Sequence, residues 1–379
     1  MAAYQTLDLL RLILARDAAA PAGCERWDAA TWESVHGAIL GWDAAPLAYG
    51  AVRATGLARL VPAHLLAAWK KDHTATTAVN MSLAFEAGAL VAGLARAGAR
   101  AVPLKGTALF ELGVCRDPGA RPTCDVDLLV APEDGRVVLR ALLERGYVQT
   151  RAGGPKHWAP MFRDGLMLEV HEHAFWSMAD GHRVRLGEMV DEAGRPAIGA
   201  TVAHLLHHLF ESSVTTPWLV VKTLADLAEV RAFAERKPAA EEVAEVAARF
   251  GLGRRLGALA GLLERVIERE APRGWTREQR AGDVERLLAR CTPRPRALEV
   301  AQRLPDRAAA FVRMPAAEKV ALLRHHLAPP AEVMRGMYGL PAGSKWVWAL
   351  YAVRPAHLAA QGAIDAIRLL GSKSGRDRG

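Results

Sequence analysis

Cysteine is scarce in this chain. Four residues, Cys24, Cys115, Cys124 and Cys291, are spread over 379 positions with no CxxC pair. That spacing excludes a disulfide frame and a cysteine zinc site, and it reads as free thiols in a reducing compartment. Long apolar runs are missing too. No stretch reaches the roughly 20 residues that span a bilayer, and the nearest, KWVWALYAV from Lys345 to Val353, is too short. The opening MAAYQTLDLLRLILARDAAA interrupts its apolar patch with Asp8 and Arg11 and has no basic region ahead of it, which makes a poor signal peptide. The expectation is a cytoplasmic protein with no membrane partner. Nor is there a Lys/Arg run interleaved with aromatics. Nucleic acid is therefore disfavoured as a partner, although Lys and Arg outnumber Asp and Glu by 49 to 41.

What is present is ordinary globular composition, 51% hydrophobic and 24% charged, enough for two domains or one domain enlarged by helical flanks. Residues 1–99 read as a helical N-terminal region. Leu7, Leu10 and Leu14 share one helix face, and Leu83, Ala87, Leu90 and Leu94 repeat the pattern before a break at Gly98-Ala99-Arg100. Residues 100–198 change texture. AVPL (Ala101 to Leu104), CDVDLLVAP (Cys124 to Pro132), YVQT (Tyr147 to Thr150) and LMLEVHEH (Leu166 to His173) read as strands, with a helix from Asp134 to Arg145 between them. From 199 to 370 the chain is again helical, broken by prolines that include Pro217, Pro238, Pro272 and Pro305, and 371–379 reads as a disordered tail. The fold class expected is α+β, a small mixed-sheet core flanked by N- and C-terminal helical regions.

Asp125 and Asp127 stand two apart on a strand, so their carboxylates share one face. Paired carboxylates suit magnesium, a hard cation that takes oxygen ligands and is often shared with substrate phosphates. Glu169, on a second strand, is a candidate third ligand. Upstream, Lys105-Gly106-Thr107 sits where a strand hands over to a helix. Gly106 permits close approach to a phosphate, Thr107 offers a hydroxyl donor or a helix cap, and Lys105 a point charge. Arg121, four residues ahead of Asp125, is a candidate phosphate clamp.

The order Pro103-Leu104-Lys105-Gly106, Arg121-Pro122, Asp125-Val126-Asp127-Leu128-Leu129-Val130, Gly146-Tyr147 and Leu168-Glu169-Val170-His171 resembles the uncharacterised bacterial nucleotidyltransferase family of the polymerase-beta-like superfamily. The likeness runs over roughly residues 30 to 235 and takes in His204, His208, Lys222 and Asp226. The resemblance implies a nucleotidyltransferase-type core, a divalent ion (magnesium, with manganese as the alternative) and an NTP such as ATP as donor. It implies Asp125, Asp127 and Glu169 as catalytic metal ligands, and Lys105, Gly106, Thr107 and Arg121 at the nucleotide. His171 and Lys222 fall to the acceptor side, where a small molecule, peptide or protein is favoured over nucleic acid. Thr107 stands where the wider superfamily has serine, and Gly113-Val114 replaces a frequent aromatic.

Two other function classes fit parts of the pattern. One is a catalytically inactive nucleotide-binding module. The other is a zinc-dependent hydrolase built on His157, His171 and His173, since Glu169, His171 and His173 alternate along the expected strand. His204, His207 and His208 share a helix face and read as a packed or pocket-facing set without metal. Lys222 and Asp226 at i, i+4 read as a helix pair or as a contact to substrate or core. GLGRRLG (Gly251 to Gly257) follows no strand and fits no dinucleotide fingerprint. Trp346, Trp348 and Tyr351 read as a buried or partner-facing helix.

Overall fold

The computed structural model describes residues 6–14, 23–149, 158, 160–212, 217–234, 239–291 and 344–354. The chain divides into two compact units, Met1–Ala141 with Glu172–Pro293, and Leu142–His171 with Arg294–Gly379. It is α+β, with helices in the majority.

The first unit opens with four helices, α1 (Thr6–Leu14), α2 (Ala29–Gly41), α3 (Ala45–Ala54) and α4 (Ala63–Arg96). Leu10 and Leu14 of the expected α1 stripe are buried, with Leu9 and Ile13 beside them. Asp28 starts α2 by accepting from the Thr31 N–H at 2.8 Å, a cap that contributes about 1 kcal/mol. In α4 the expected stripe Leu83, Ala87, Leu90 and Leu94 is buried, and it continues backwards through Asn80, His73, Trp69 and Leu65. The polar members of that stripe matter below. By length and composition alone α4 is apolar enough to cross a membrane, as the core helix of a folded domain can also be. It is not an unbroken apolar run, since Asn80, Ser82 and Glu86 interrupt it. Between His73 and Ala95 the only charged residue is Glu86, and alanine, glycine and threonine fill the gaps between the large apolar positions.

Strand β1 (Ala101–Pro103), helix α5 (Lys105–Glu111) and strand β2 (Asp125–Val130) follow. β1 and β2 pair antiparallel, with Ala101 opposite Val130 and Pro103 opposite Leu128. The apolar residues of both strands are buried. Helix α6 (Gly135–Glu144) leads out of this unit.

The second unit carries an antiparallel meander of β3 (Val148–Gln149), β4 (Met161–Arg163) and β5 (Leu166–His171), with Gln149 opposite Met161 and Met161 opposite Leu168. Asp164 and Gly165 join β4 to β5 with φ of 51° and 81°. Two successive positive φ values are what a two-residue hairpin requires, and Asp-Gly supplies them. Arg163 lies over the buried Tyr147 ring at 4.9 Å. A helical segment at 347–354 leaves Trp346 and Trp348 exposed, so of the two readings of that motif, buried or partner-facing, the buried one does not hold.

The first unit resumes with the ribbon β6 (Phe175–Trp176) and β7 (Arg183–Val184), then α7 (Leu186–Met189), α8 (Ile198–Ser212), α9 (Pro217–Ala234), α10 (Ala240–Arg249), α11 (Gly253–Ile267) and α12 (Asp283–Cys291). Their apolar faces join α1 to α3 in one core. His157, the 371–379 tail and several of the later prolines, Pro238 and Pro305 among them, lie outside the described residues.

Candidate active site

The β1–β2 pairing explains how Lys105 meets Asp127. The ladder extends one residue beyond β1, where the Leu104 N–H donates to the Asp127 carbonyl at 2.9 Å. The chain then turns at Lys105, whose φ of 51° is unusual for a residue with a side chain and costs about 1 kcal/mol or more. That turn brings the Lys105 ammonium to within 2.7 Å of Asp127 Oδ1. Asp127 is buried, whereas Asp125, two residues earlier on the same face of β2, is half-buried.

Gly106 and Thr107 serve the turn itself. Thr107 is buried and its hydroxyl donates to the Leu104 carbonyl at 2.9 Å. A Cβ on Gly106 would overlap Arg121 Nη1 and press on Thr123 Oγ1, so glycine is needed because a guanidinium packs against this backbone. Arg121 is itself locked. Its Nε donates to Asp226 Oδ1 at 2.6 Å, Nη2 to Asp226 Oδ2 at 3.0 Å, and Nη1 to Thr123 Oγ1 at 2.9 Å. Both members of the pair are buried. Burial pulls the Arg121 pKa down, but the charge and hydrogen bonds of Asp226 outweigh it and the net shift is upward. The sequence read Arg121 as a phosphate clamp, whereas here its donors are taken up within the protein.

The turn leading into Arg121 is held by α4. Asn80 Nδ2 donates to the Pro118 carbonyl at 2.5 Å and to the Arg121 carbonyl at 2.6 Å, and His73 Nε2 lies 3.0 Å from Asp117 Oδ1. These residues were missed in the sequence. Their only signal was a polar residue recurring on the buried stripe of an otherwise apolar helix.

Lys222 stands one turn before Asp226 on α9, half-buried, with its ammonium 5.3 Å from the centre of the Trp218 ring. Burial first, and then the Arg121 charge, lower its pKa to about 8 against the opposing pull of Asp226, Cys124 and Asp125. The helix pair expected between Lys222 and Asp226 is absent, because Asp226 is turned towards Arg121.

In the second unit, Glu169 and His171 alternate on β5, with His171 Nε2 3.8 Å from Glu169 Oε2. β5 ends at His171, so His173 does not continue the alternation read from the sequence. His204 and His207 are buried on α8, with their ring centres 6.0 and 5.1 Å from Phe175, as expected of a packed set.

A comparison with known families matches residues 29–268 to the family described as uncharacterised nucleotidyltransferase. The chain belongs to that family. Membership gives the general class of chemistry, nucleotidyl transfer. No curated protein and no solved structure matches the chain.

Proposed function

We propose that the chain is a metal-dependent nucleotidyltransferase that moves an NMP group from an NTP to a hydroxyl or similar nucleophile and releases pyrophosphate. The observation that carries this reading is the buried Asp127 carboxylate, two residues from Asp125 and facing Lys105 across 2.7 Å at a strained turn, in a chain of this family. Oxygen donors of this kind fit a hard divalent cation such as magnesium. Asp125 and Asp127 would hold it, and Glu169 is the third ligand that the resemblance implies. When bound, the ion supplies Lewis-acid polarisation of the α-phosphate and neutralises the departing pyrophosphate.

The chain's own residues do the positioning. Lys105, whose ammonium reaches Asp127 Oδ1 at 2.7 Å, would supply a point charge to the nucleotide phosphates. Thr107 and Gly106 shape the turn beneath. Arg121 acts on the nucleotide through Gly106, because its guanidinium is bonded to Asp226 and Thr123. His171 and Lys222 belong to the acceptor side, for which a small molecule, peptide or protein is favoured.

The test is pyrophosphate release with magnesium, each of the four NTPs and candidate acceptors. Wild type is expected to release pyrophosphate, and Asp127→Ala to fall by about 1000-fold, because removing a metal ligand removes charge stabilisation worth several kcal/mol. Equal rates from the two proteins would sink the assignment.

A further inference from the structure

The inner stripe of α4 packs into the first unit, but its outer face has no counterpart in the fold. There Ala78, Met81, Phe85, Gly88, Ala92 and Ala95 are all exposed, Met81 at 63% and Phe85 at 78%. They alternate three and four residues apart, the spacing of the a and d positions of a heptad. Such positions form a seam along a helix that a second helix can cover. An exposed apolar patch of this kind marks an interaction surface. No charge lies on the seam, and Ser82, Ala84, Ala89 and Val91 beside it carry none either. A charged partner has nothing to pair with here. A bilayer surface fits no better, because a helix that lies on one flanks its apolar face with Lys or Arg.

The seam is complementary to itself. Set antiparallel about a two-fold axis between Phe85 and Gly88, two copies place Phe85 of one opposite Gly88 of the other. Met81 then meets Ala92 and Ala78 meets Ala95, so each large side chain faces a small residue. A Cβ at Gly88 would have nothing within 4 Å, which leaves the hollow that the Phe85 ring needs. The contact is isologous, as a closed two-fold dimer requires. A parallel pair would instead stack Phe85 on Phe85 and Gly88 on Gly88, alternating crowded layers with empty ones. The area is sufficient. Phe85 at 78% exposure offers about 150 Å² by itself. With Met81 and the small residues of the seam, roughly 500 Å² per chain can be covered, or about 1,000 Å² in all, the threshold for a specific interface.

We propose that α4 pairs antiparallel with α4 of a second copy of this chain, with Phe85 as the central anchor. The result is a weak, reversible two-fold dimer with Kd on the order of 10 μM. His73 and Asn80 hold the turn from Asp117 to Arg121 on the opposite face of α4, so the pairing leaves both of those turns uncovered. It does not depend on nucleotidyl transfer.

Sedimentation equilibrium of the full chain, at concentrations on either side of that Kd, should show monomer and dimer exchanging. Phe85→Glu should weaken the dimer at least about thirtyfold, as the loss of a central aromatic anchor does. Its circular-dichroism melt at dilute, monomeric concentration should match wild type, because the side chain replaced is exposed. Filling the hollow tests the register. Gly88→Leu should also weaken the dimer, and Phe85→Ala/Gly88→Leu should recover it by exchanging large for small. Orientation is read from Ala78→Cys and Ala95→Cys, each made in a Cys124→Ser background. A short bismaleimide should join the two when mixed and neither when alone, since like residues stand about 25 Å apart along the pair. Monomer at every concentration, or a dimer unaffected by Phe85→Glu, overturns the pairing. So does either cysteine variant linking to itself. A monomer that binds neutral phosphatidylcholine vesicles through Phe85 would assign the face to a bilayer and overturn it as well.

Discussion

Consider the removal of Asp226 by Asp226→Ala. The substitution leaves the Arg121 guanidinium buried, with only Thr123 accepting from it among the bonds described above. Two charge-assisted hydrogen bonds, at 2.6 and 3.0 Å, are lost with the counter-charge. Breaking a buried pair from one side costs about 3–5 kcal/mol, because the surviving charge stays desolvated. That is a large part of the roughly 5–15 kcal/mol by which a domain is stable. Replacing both partners by apolar residues of similar volume removes the charge as well as the bond and is often neutral or stabilising. The double variant Arg121→Met/Asp226→Leu should therefore be more stable than Arg121→Met or Asp226→Leu alone, the two single corners of the cycle. Urea unfolding followed by circular dichroism gives all four stabilities, and the cycle gives the coupling. A loss below about 1 kcal/mol for Asp226→Ala, or simple addition of the two single effects, would refute the argument. The double variant should still be impaired in nucleotide binding, since methionine cannot hold Thr123 and shape the backbone at Gly106 as the guanidinium does.

Three further outcomes follow from the same geometry. Gly106→Ala forces a Cβ onto Arg121 Nη1 and should raise KM for the NTP while costing about 1–3 kcal/mol of stability, measured by steady-state kinetics and urea melts. Lys222 has its pKa lowered from 10.5 to about 8, so between those values the unfolded chain holds a proton that the folded one has released. Stability should then rise with pH from about 8 to 10.5 by up to about 3 kcal/mol and be flat there in Lys222→Met; the same rise in both proteins would argue against a desolvated ammonium. Among the thiols, the exposed Cys124 should react with a disulfide reagent in the native protein. Cys291, buried and pushed up to about 12, should react only on unfolding, and early labelling of it by mass spectrometry would contradict its packing.

Local pattern carried much of this architecture. The alternation in CDVDLLV and LMLEVH gave β2 and β5, Asp164-Gly165 closes the hairpin next to β5, and the leucine stripe gave the inner face of α4. The Lys-Gly-Thr turn was legible as a turn. Its reason was not, because what demands glycine is a guanidinium contributed from Arg121 and oriented by a carboxylate 105 residues further on. A helical i, i+4 rule paired Lys222 with Asp226, and a stronger bidentate partner across the fold won. The strand rule extended β5 to His173, but pairing with β4 begins at Leu166 and the strand ends at His171, which alternation alone cannot reveal. Long-range electrostatics decided each of the misread side-chain partners.

The grip of α4 on the turn from Asp117 to Arg121 bears on how this chain can be divided. A chain shortened to begin at residue 100 would retain every carboxylate assigned to the metal. It would lose His73 and Asn80, which fasten the turn at Asp117 and at the carbonyls of Pro118 and Arg121. Any portable piece therefore needs the long helix as well as the strand pair. Grafting the aspartates alone into another scaffold would carry over the ligands without the splint that aligns them.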